Sequence, residues 1–128
     1  MPKERVIGVG GIFVAAADPV ALTTWYADML GVVSPPASYD MPSWWPQPGP
    51  LVVAALPEDS SHFGGASHRW SLNFRVSDLD AMVAQLRAGG IEVEVDPASY
   101  PNGRFASLVD PEGNVVQLWQ PDGADASG

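Results

Sequence analysis

The sequence predicts an α+β fold built from two paired βαβββ modules. The main observation is a repeated order of elements, in which a strand, an Asp-capped helix and further strands are followed by the same series again. A shift of 60 residues places Asp18 on Asp78 and Tyr26 on Leu86, as two copies of one unit would. Each module would need the other to cover its sheet. We therefore expect a single domain over residues 1–128, with modules at about 6–60 and 66–121 and a flexible tail at 122–128.

Composition limits the classes of function. The 128 residues suffice for one well-packed core, and the absence of cysteine excludes disulfides, thiolate metal sites and a cysteine nucleophile. A net charge of −9 with only six Lys and Arg disfavours binding to nucleic acid. The sequence shows neither a leader nor an apolar run of transmembrane length, so we expect a cytoplasmic protein that does not bind membranes.

Two helices have clear start and stop signals. Asp18 followed by Pro19 is a typical helix start, and Gly31 a typical end. The second helix begins after Ser77 or Asp78 and stops at Gly89-Gly90. In the first helix an apolar stripe at helical spacing indicates packing against a sheet; it comprises Leu22, Trp25, Tyr26, Met29 and Leu30.

The strands are predicted from β-branched and aromatic runs. The last two form a hairpin, because Asp110–Asn114 has the Pro, Gly, Asp and Asn of a tight turn. Val6–Ala17 has the apolar character of a buried strand, although its three glycines weaken it. The other predicted strands are Leu51–Leu56, His68–Val76, Ile91–Val95, Arg104–Val109 and Val115–Trp119.

Polar residues mark one face of these strands. His68–Val76 alternates, so that one face holds the polar residues Arg69, Ser71, Asn73 and Arg75. Gln117 lies midway along the final strand. This polar face is either exposed to solvent or the lining of a pocket. Residues 34–50, rich in Pro and Trp, fit no regular element and form either a packed cover or a lid.

The chain resembles the vicinal oxygen chelate superfamily in three features. They are the paired modules, the helix entry Val76–Asp80, and the Asp110–Asn114 hairpin with the Gly103-Arg104 pair that precedes it. That superfamily contains glyoxalase I, fosfomycin and bleomycin resistance proteins, and extradiol dioxygenases. The resemblance extends from about Val6 to Pro121. It implies a curved sheet around a cavity, the glyoxalase/bleomycin resistance/dihydroxybiphenyl dioxygenase-like fold, and a homodimer.

Enzymes of this superfamily hold a divalent metal through His, Gln or Glu side chains, which the resemblance maps onto Gly11, Ser71 and Gln117. Glycine has no side chain, and a neutral hydroxyl is a poor ligand for a soft or borderline metal. Gln117 alone could not hold the ion. We therefore expect no metal and no other cofactor.

The favoured hypothesis is a metal-free protein that binds a small aromatic or amphipathic molecule in the cavity. The alternative is a metal-dependent lyase, isomerase or dioxygenase in which Gln117 is joined by His62 or His68. A purely structural or interaction domain is the remaining possibility. No nucleophile–base pair is visible, so catalytic residues are not assigned. The predicted cavity lining comprises Phe13, Ser71, Asn73, Arg75, Phe105, Gln117 and Trp119.

Overall fold

A computed structural model of the protein describes residues 4–65 and 67–126. Its regular elements form an α+β fold with two helices and a curved four-stranded mixed sheet in the order β1-β4-β3-β2. β1 runs parallel to β4, and the remaining pairs are antiparallel. The elements are α1 (Pro19–Leu30), β1 (Leu72–Arg75), α2 (Leu79–Ala88), β2 (Glu94–Val95), β3 (Gly103–Val109) and β4 (Val115–Pro121).

Both helices begin and end as their sequences predict. The carboxylates of Asp18 and Asp78 accept hydrogen bonds from the third residue beyond each cap, at 3.1 and 3.0 Å. Gly31 ends α1 in the left-handed conformation, with φ 71°, which suits a glycine. The predicted N-caps Asp18 and Asp78 are confirmed, whereas the division of the chain into two equivalent modules stays a prediction.

The core lies between the helices and one face of the sheet. Tyr26 and Leu86, which the repeat places at equivalent positions, are both buried there. Leu79, Val116 and Leu118 are almost fully buried, so the centre of β4 is the middle of the core. Because side chains alternate across a strand, the residues between these point to the opposite face of the sheet.

The hairpin turn between β3 and β4 is built around a buried carboxylate. Asp110, 4% exposed, accepts hydrogen bonds from the backbone N–H groups of Glu112 and Asn114 and from the Asn114 side-chain amide. The hydroxyl of Tyr26 is a fourth donor group and hydrogen-bonds the same carboxylate at 2.7 Å. Burial, the hydrogen bond to Asp110 and its negative charge together raise the pKa of Tyr26 above the ordinary value. The turn thereby fixes α1 as well as the hairpin.

The hairpin also hydrogen-bonds the backbone at the start of each helix. The Glu112 carboxylate accepts hydrogen bonds from the N–H groups of Ala17 and Asp18, at 2.7 and 2.9 Å. The Gln120 Oε1 atom accepts one from the N–H of Leu79, at 2.8 Å. These backbone donors have no partner within their helices, and the N-terminal end of a helix favours a negative charge.

The prediction of strands at two segments is wrong. Within the described residues, neither Val6–Ala17 nor Leu51–Leu56 pairs as a strand, and Ile7 and Val53 are 105% and 82% exposed. An apolar run indicates that a segment tends to be buried, but it does not identify the strand with which the segment would pair. The β propensity of a segment depends strongly on that partner. The glycines at 8, 10 and 11 weaken the first run further. The first module therefore contributes α1 to the structure, and the second contributes the sheet.

Two other strands are shorter than predicted. His68–Val76 pairs only over Leu72–Arg75, and Ile91–Val95 only over Glu94–Val95. The latter is an edge strand beside β3, and its first residues lead out of the helix turn at Gly89-Gly90. The hairpin strands, in contrast, extend over the whole of their predicted ranges.

The ends of the chain are only partly described. Residues 1–3 of the predicted domain, and 127–128 of the predicted tail, lie outside the described residues. The earlier part of the tail forms a short 3₁₀ turn, Gly123–Asp125, and the Asp122 N–H donates to the carbonyl of Asn102. Neither helix in the described part of the chain is long and apolar enough to cross a bilayer.

Candidate functional site

The face of the sheet opposite the helices, here called the open face, gathers most of the predicted lining. The strand register pairs Asn73 with Gln117 and Arg75 with Trp119. It also pairs Trp119 with Phe105, and paired residues project to the same side of a sheet. Six of the seven predicted lining residues therefore share the open face or its immediate edge: Ser71, Asn73, Arg75, Phe105, Gln117 and Trp119.

Phe13, the seventh predicted lining residue, lies elsewhere. Its side chain is 95% exposed, and its ring lies where it would closely approach a Cβ atom added at Gly11. The prediction placed it on an opening strand that does not form, so its alternation along that strand does not apply. Its role in a binding site remains a prediction.

A pair of amides occupies the centre of the open face. The Asn73 Nδ2 atom donates a 2.8 Å hydrogen bond to Gln117 Oε1. The hydroxyl of Ser71 donates to the carbonyl of Val115 at 3.2 Å. The amide pair leaves the opposite group of each side chain, Asn73 Oδ1 and Gln117 Nε2, to meet a bound molecule.

An aromatic cluster borders the amides. The rings of Phe105 and Trp119 are stacked with centroids 6.2 Å apart and an interplanar angle of 6°, and Tyr100 meets Phe105 edge-on at 5.8 Å. Trp119 is only 4% exposed, and its indole N–H donates to the carbonyl of Asn102. Trp119 thus supports the cluster from beneath, while Phe105 is the ring that a ligand could cover.

Tyr100 is itself held by a carboxylate. Its hydroxyl donates a 2.8 Å hydrogen bond to Asp96. Bonds from the Ala98 N–H and from Tyr100 lower the pKa of Asp96, and the same contact raises the pKa of Tyr100. Asp96 is therefore negatively charged at neutral pH and lies at the end of the aromatic cluster.

Arg75 joins the open face to the Pro- and Trp-rich segment 34–50. Its guanidinium donates to the carbonyl of Gln47 at 2.8 Å and contacts that of Pro48 at 3.5 Å. It lies so close to Gly49 that a Cβ atom there would collide with it. As predicted, the segment has no helix or strand, and Trp45 is 87% exposed. The end of the segment is therefore attached to the open face, while much of it is in contact with solvent.

An open cleft of about 1270 Å³ lies along the β2 edge of the sheet and reaches the open face at Phe105, Ser107 and Gln117. Glu94 lines it at the edge strand and pairs with Ser107. Neither Ser107 nor Glu94 is among the lining residues predicted from the sequence. Counting residues outward from the Asp110–Asn114 turn would have placed Ser107 opposite Gln117.

The residues at the superfamily's metal positions do not fit a metal ion. Gly11 has no side chain, Ser71 directs its hydroxyl to the Val115 carbonyl, and the Gln117 oxygen already accepts from Asn73. Among residues 4–65 and 67–126, no three His, Asp or Glu side chains cluster as metal ligands would.

The two histidines line different clefts, and His62 lines the one that Gln117 also lines. His62 is exposed on a short 3₁₀ turn, with its Nδ1 atom 3.1 Å from the Ser60 hydroxyl. His68 lines a separate cleft of about 560 Å³, beside Glu58 and Arg69.

Comparison with known proteins identifies the family of the chain. The sequence profile of the glyoxalase-like domain matches residues 11–119, which is most of the chain. The chain belongs to this family. The match begins at Gly11 and ends at Trp119, so it includes both the first of the superfamily's metal positions and the final strand.

Individual relatives cover less of the glyoxalase-like chain. CFP32 of Mycobacterium bovis, which bears a provisional glyoxylase name, is 40% identical over 58 residues, 44% of this chain and 22% of that protein. DnrV of Streptomyces peucetius, named as an anthracycline biosynthesis protein, is 40% identical over 68 residues, 51% of this chain and 25% of that protein. The chain thus spans a quarter or less of the length of these curated relatives.

A solved structure supports the fold over most of the chain. TnmS3 from Streptomyces sp. CB03234, described as an antibiotic binding protein, superposes with a TM-score of 0.52 and 24% identity. The match covers 85% of this chain and 91% of TnmS3. It places the chain in the glyoxalase/bleomycin resistance fold.

Proposed function

We propose that this glyoxalase-like chain binds a small, flat aromatic or amphipathic molecule on its open face and does so without a metal ion. The observation that supports this most is the Phe105 ring, stacked on Trp119 next to the Asn73–Gln117 amide pair. An apolar surface beside a few oriented polar groups is the usual composition of a small-molecule site.

The donor chemistry favours binding over metal-dependent catalysis. A Lewis-acid mechanism needs ligands that hold the ion firmly, and the three superfamily positions supply one amide oxygen, one hydroxyl and no third group. The Gln117 oxygen is also engaged by Asn73. The side chains that remain are suited to orienting an organic molecule.

The names of two relatives are in keeping with this proposal. TnmS3 is described as binding an antibiotic, and DnrV as taking part in anthracycline biosynthesis. The first shares only the fold at this level of identity, and the second is matched over a quarter of its length. They support a ligand of the organic small-molecule class and do not identify it.

A binding titration with a neutral probe tests the proposal. We expect 2,6-bis(hydroxymethyl)anthracene to bind, measured by calorimetry, and Phe105→Ala to weaken it about tenfold, since stacking and buried area are lost together. Tyr39→Ala is the matched control, because Tyr39 is a fully exposed aromatic outside the sheet. Absence of binding by the unaltered protein, or equal weakening by both variants, would contradict the proposal.

A metal screen separates this function from the metal-dependent alternative. We expect Mn²⁺, Ni²⁺, Fe²⁺ and Zn²⁺ to leave the melting temperature unchanged, because a metal that bound only the folded protein would raise it. A rise that His68→Ala or His62→Ala abolishes would instead establish the alternative ligand set.

We also propose that two copies associate and that the protein is cytoplasmic. Apolar side chains of residues 6–13 and 51–56 are largely exposed in one chain, among them Val6, Ile7, Phe13 and Val52. Exposed apolar patches commonly mark contacts between proteins. Light scattering during size-exclusion chromatography should give twice the mass of one chain, and a mass of 13.5 kDa would refute the dimer.

A further inference from the structure

Side chains on the open face are arranged in two rows that cross the strands. One row contains Arg75, Trp119 and Phe105, in the order β1, β4, β3. The other contains Asn73, Gln117, Ser107 and Glu94, in the order β1, β4, β3, β2. Because residues paired across strands project to the same side, each row forms a continuous line across the open face. Trp119 is buried within the first row, so Phe105 is the ring of that row that a ligand could cover.

The charges of these rows lie at opposite ends. Arg75 is on β1, and Glu94 is on β2 at the other edge of the sheet. Asp96 lies beyond Phe105, and its N–H donates to the Phe105 carbonyl at 3.0 Å. Neighbouring strands are about 4.8 Å apart, so three intervals separate the positive and negative ends by about 14 Å.

The groups between these ends are neutral. They are the stacked rings of Phe105 and Trp119, the Asn73–Gln117 amide pair and the Ser107 hydroxyl. A ligand lying along the rows would meet a guanidinium at one end, a flat apolar and amide surface in the middle, and carboxylates at the other end.

The positive end already accommodates oxygen acceptors. The carbonyl oxygens of Gln47 and Pro48 lie against the Arg75 guanidinium. A carboxylate in their place would make a charge-assisted and two-pronged contact, which is stronger than a contact to a neutral carbonyl. At the other end, Glu94 and Asp96 both line the open cleft and would attract a protonated amine.

We infer that the ligand is amphoteric, with a flat aromatic centre over Phe105, an acidic oxygen group at Arg75 and a protonated amine at Glu94. This inference rests on the proposed function and specifies its ligand class. The distance between the two ends suits a rod of about three fused rings bearing a substituent at each end. Arg75 and Glu94 then determine both the choice of ligand and its direction across the sheet.

Four anthracenes with substituents at positions 2 and 6 test this inference by calorimetry. The first, neutral compound carries two hydroxymethyl groups. The second carries a carboxylate and a hydroxymethyl group, and the third an aminomethyl and a hydroxymethyl group. The fourth, amphoteric compound carries an aminomethyl group and a carboxylate. We expect each charged end to tighten binding about fivefold over the neutral compound, as exposed charge pairs do, and the two gains to combine in the amphoteric compound.

Two variants assign each gain to its residue. Arg75→Gln should remove the gain from the carboxylate and leave that from the amine, and Glu94→Gln should do the reverse. Arg69→Gln and Glu58→Gln are matched controls, because both residues line the separate cleft. Raising the salt concentration should reduce both gains in the unaltered protein.

The outcomes distinguish this inference from the function on which it rests. Equal affinities for all four compounds, or variants that weaken the neutral compound as much as the charged ones, would overturn the amphoteric ligand while leaving an aromatic-binding protein. Failure of all four compounds to bind would overturn both.

Discussion

The hydroxyl of Tyr26 donates a 2.7 Å hydrogen bond to the buried carboxylate of Asp110, a residue 84 positions further along the chain. This contact joins the first helix to the closing hairpin. It is reinforced by Glu112, which accepts from the backbone at the start of the same helix. The position of α1 is therefore set by the Asp110–Asn114 turn.

Tyr26→Phe should lower the free energy of unfolding by about 2 kcal/mol, because a hydrogen bond to a charged, buried acceptor is lost. Urea denaturation measures this change. Tyr100→Phe is the control: it removes a hydroxyl–carboxylate bond of 2.8 Å at an exposed site and should have little effect. Equal losses in the two variants would show that burial of the contact does not matter.

Stability should fall with pH in the alkaline range because of Tyr26. The pKa of its hydroxyl is raised in the folded state above the ordinary value of 10.0. The unfolded chain therefore releases this proton first. The stabilisation is complete below about pH 10 and is lost as the pH rises further, with a limiting slope of about 1.4 kcal/mol per pH unit.

Urea denaturation at a series of alkaline pH values checks this dependence. The free energy of unfolding of Tyr26→Phe should decline less steeply with pH than that of the unaltered protein. Tyr100→Phe should keep most of the unaltered protein's decline, because the Tyr100 ring is partly exposed. An identical decline in all three proteins would attribute alkaline unfolding to other groups.

Glu112→Gln should destabilise the protein by about 1 kcal/mol, since it removes a negative charge from the N-terminal end of α1 and replaces one acceptor oxygen by a donor. Thermal and urea unfolding would both detect the change. Glu92→Gln, at an exposed position, is the control and should change stability by less than about 0.5 kcal/mol. A neutral result for Glu112→Gln would mean that water replaces the carboxylate without cost.

Gly49→Ala should release the Pro- and Trp-rich segment from the open face, because its methyl group would collide with the Arg75 guanidinium. Loss of the Arg75 contacts should speed chymotrypsin cleavage after Trp44 about fivefold to tenfold, because the local opening then breaks one hydrogen bond fewer. Gly10→Ala, where an added Cβ meets no atom within 4 Å, is the control. Unchanged cleavage would show that Arg75 does not restrain the segment.

Local chemistry explains what could be predicted from the sequence. The caps at Asp18 and Asp78 depend on hydrogen bonds within four residues, so composition alone identifies them. The hairpin is equally local, because its turn residues set the register of the flanking strands. That register, with the alternation in His68–Val76, was enough to bring Ser71, Asn73 and Gln117 to one face.

Contacts distant in sequence explain what could not be predicted. Val6–Ala17 and Leu51–Leu56 have the composition of strands. A strand forms only when it pairs with another strand, and the periodicity of a sequence does not identify that partner. The attachment of Tyr26 to Asp110 gave no local signal either. Pairing of Arg75 with the Gln47 carbonyl was likewise invisible, since any exposed arginine fits the same pattern.

The restraint of α1 by the hairpin has a consequence for how such a chain can diverge. In the connection from α1 to β1, the described residues 31–65 and 67–71 hold one short 3₁₀ turn and no other helix or strand, and the contacts of Tyr26, Ala17 and Asp18 that fix α1 are made outside it. The entropy of closing such a connection grows slowly, by about 0.6 kcal/mol for each doubling of its length. Insertions and deletions there can therefore remodel the covering of the open face, and with it the choice of ligand, while the scaffold beneath stays the same.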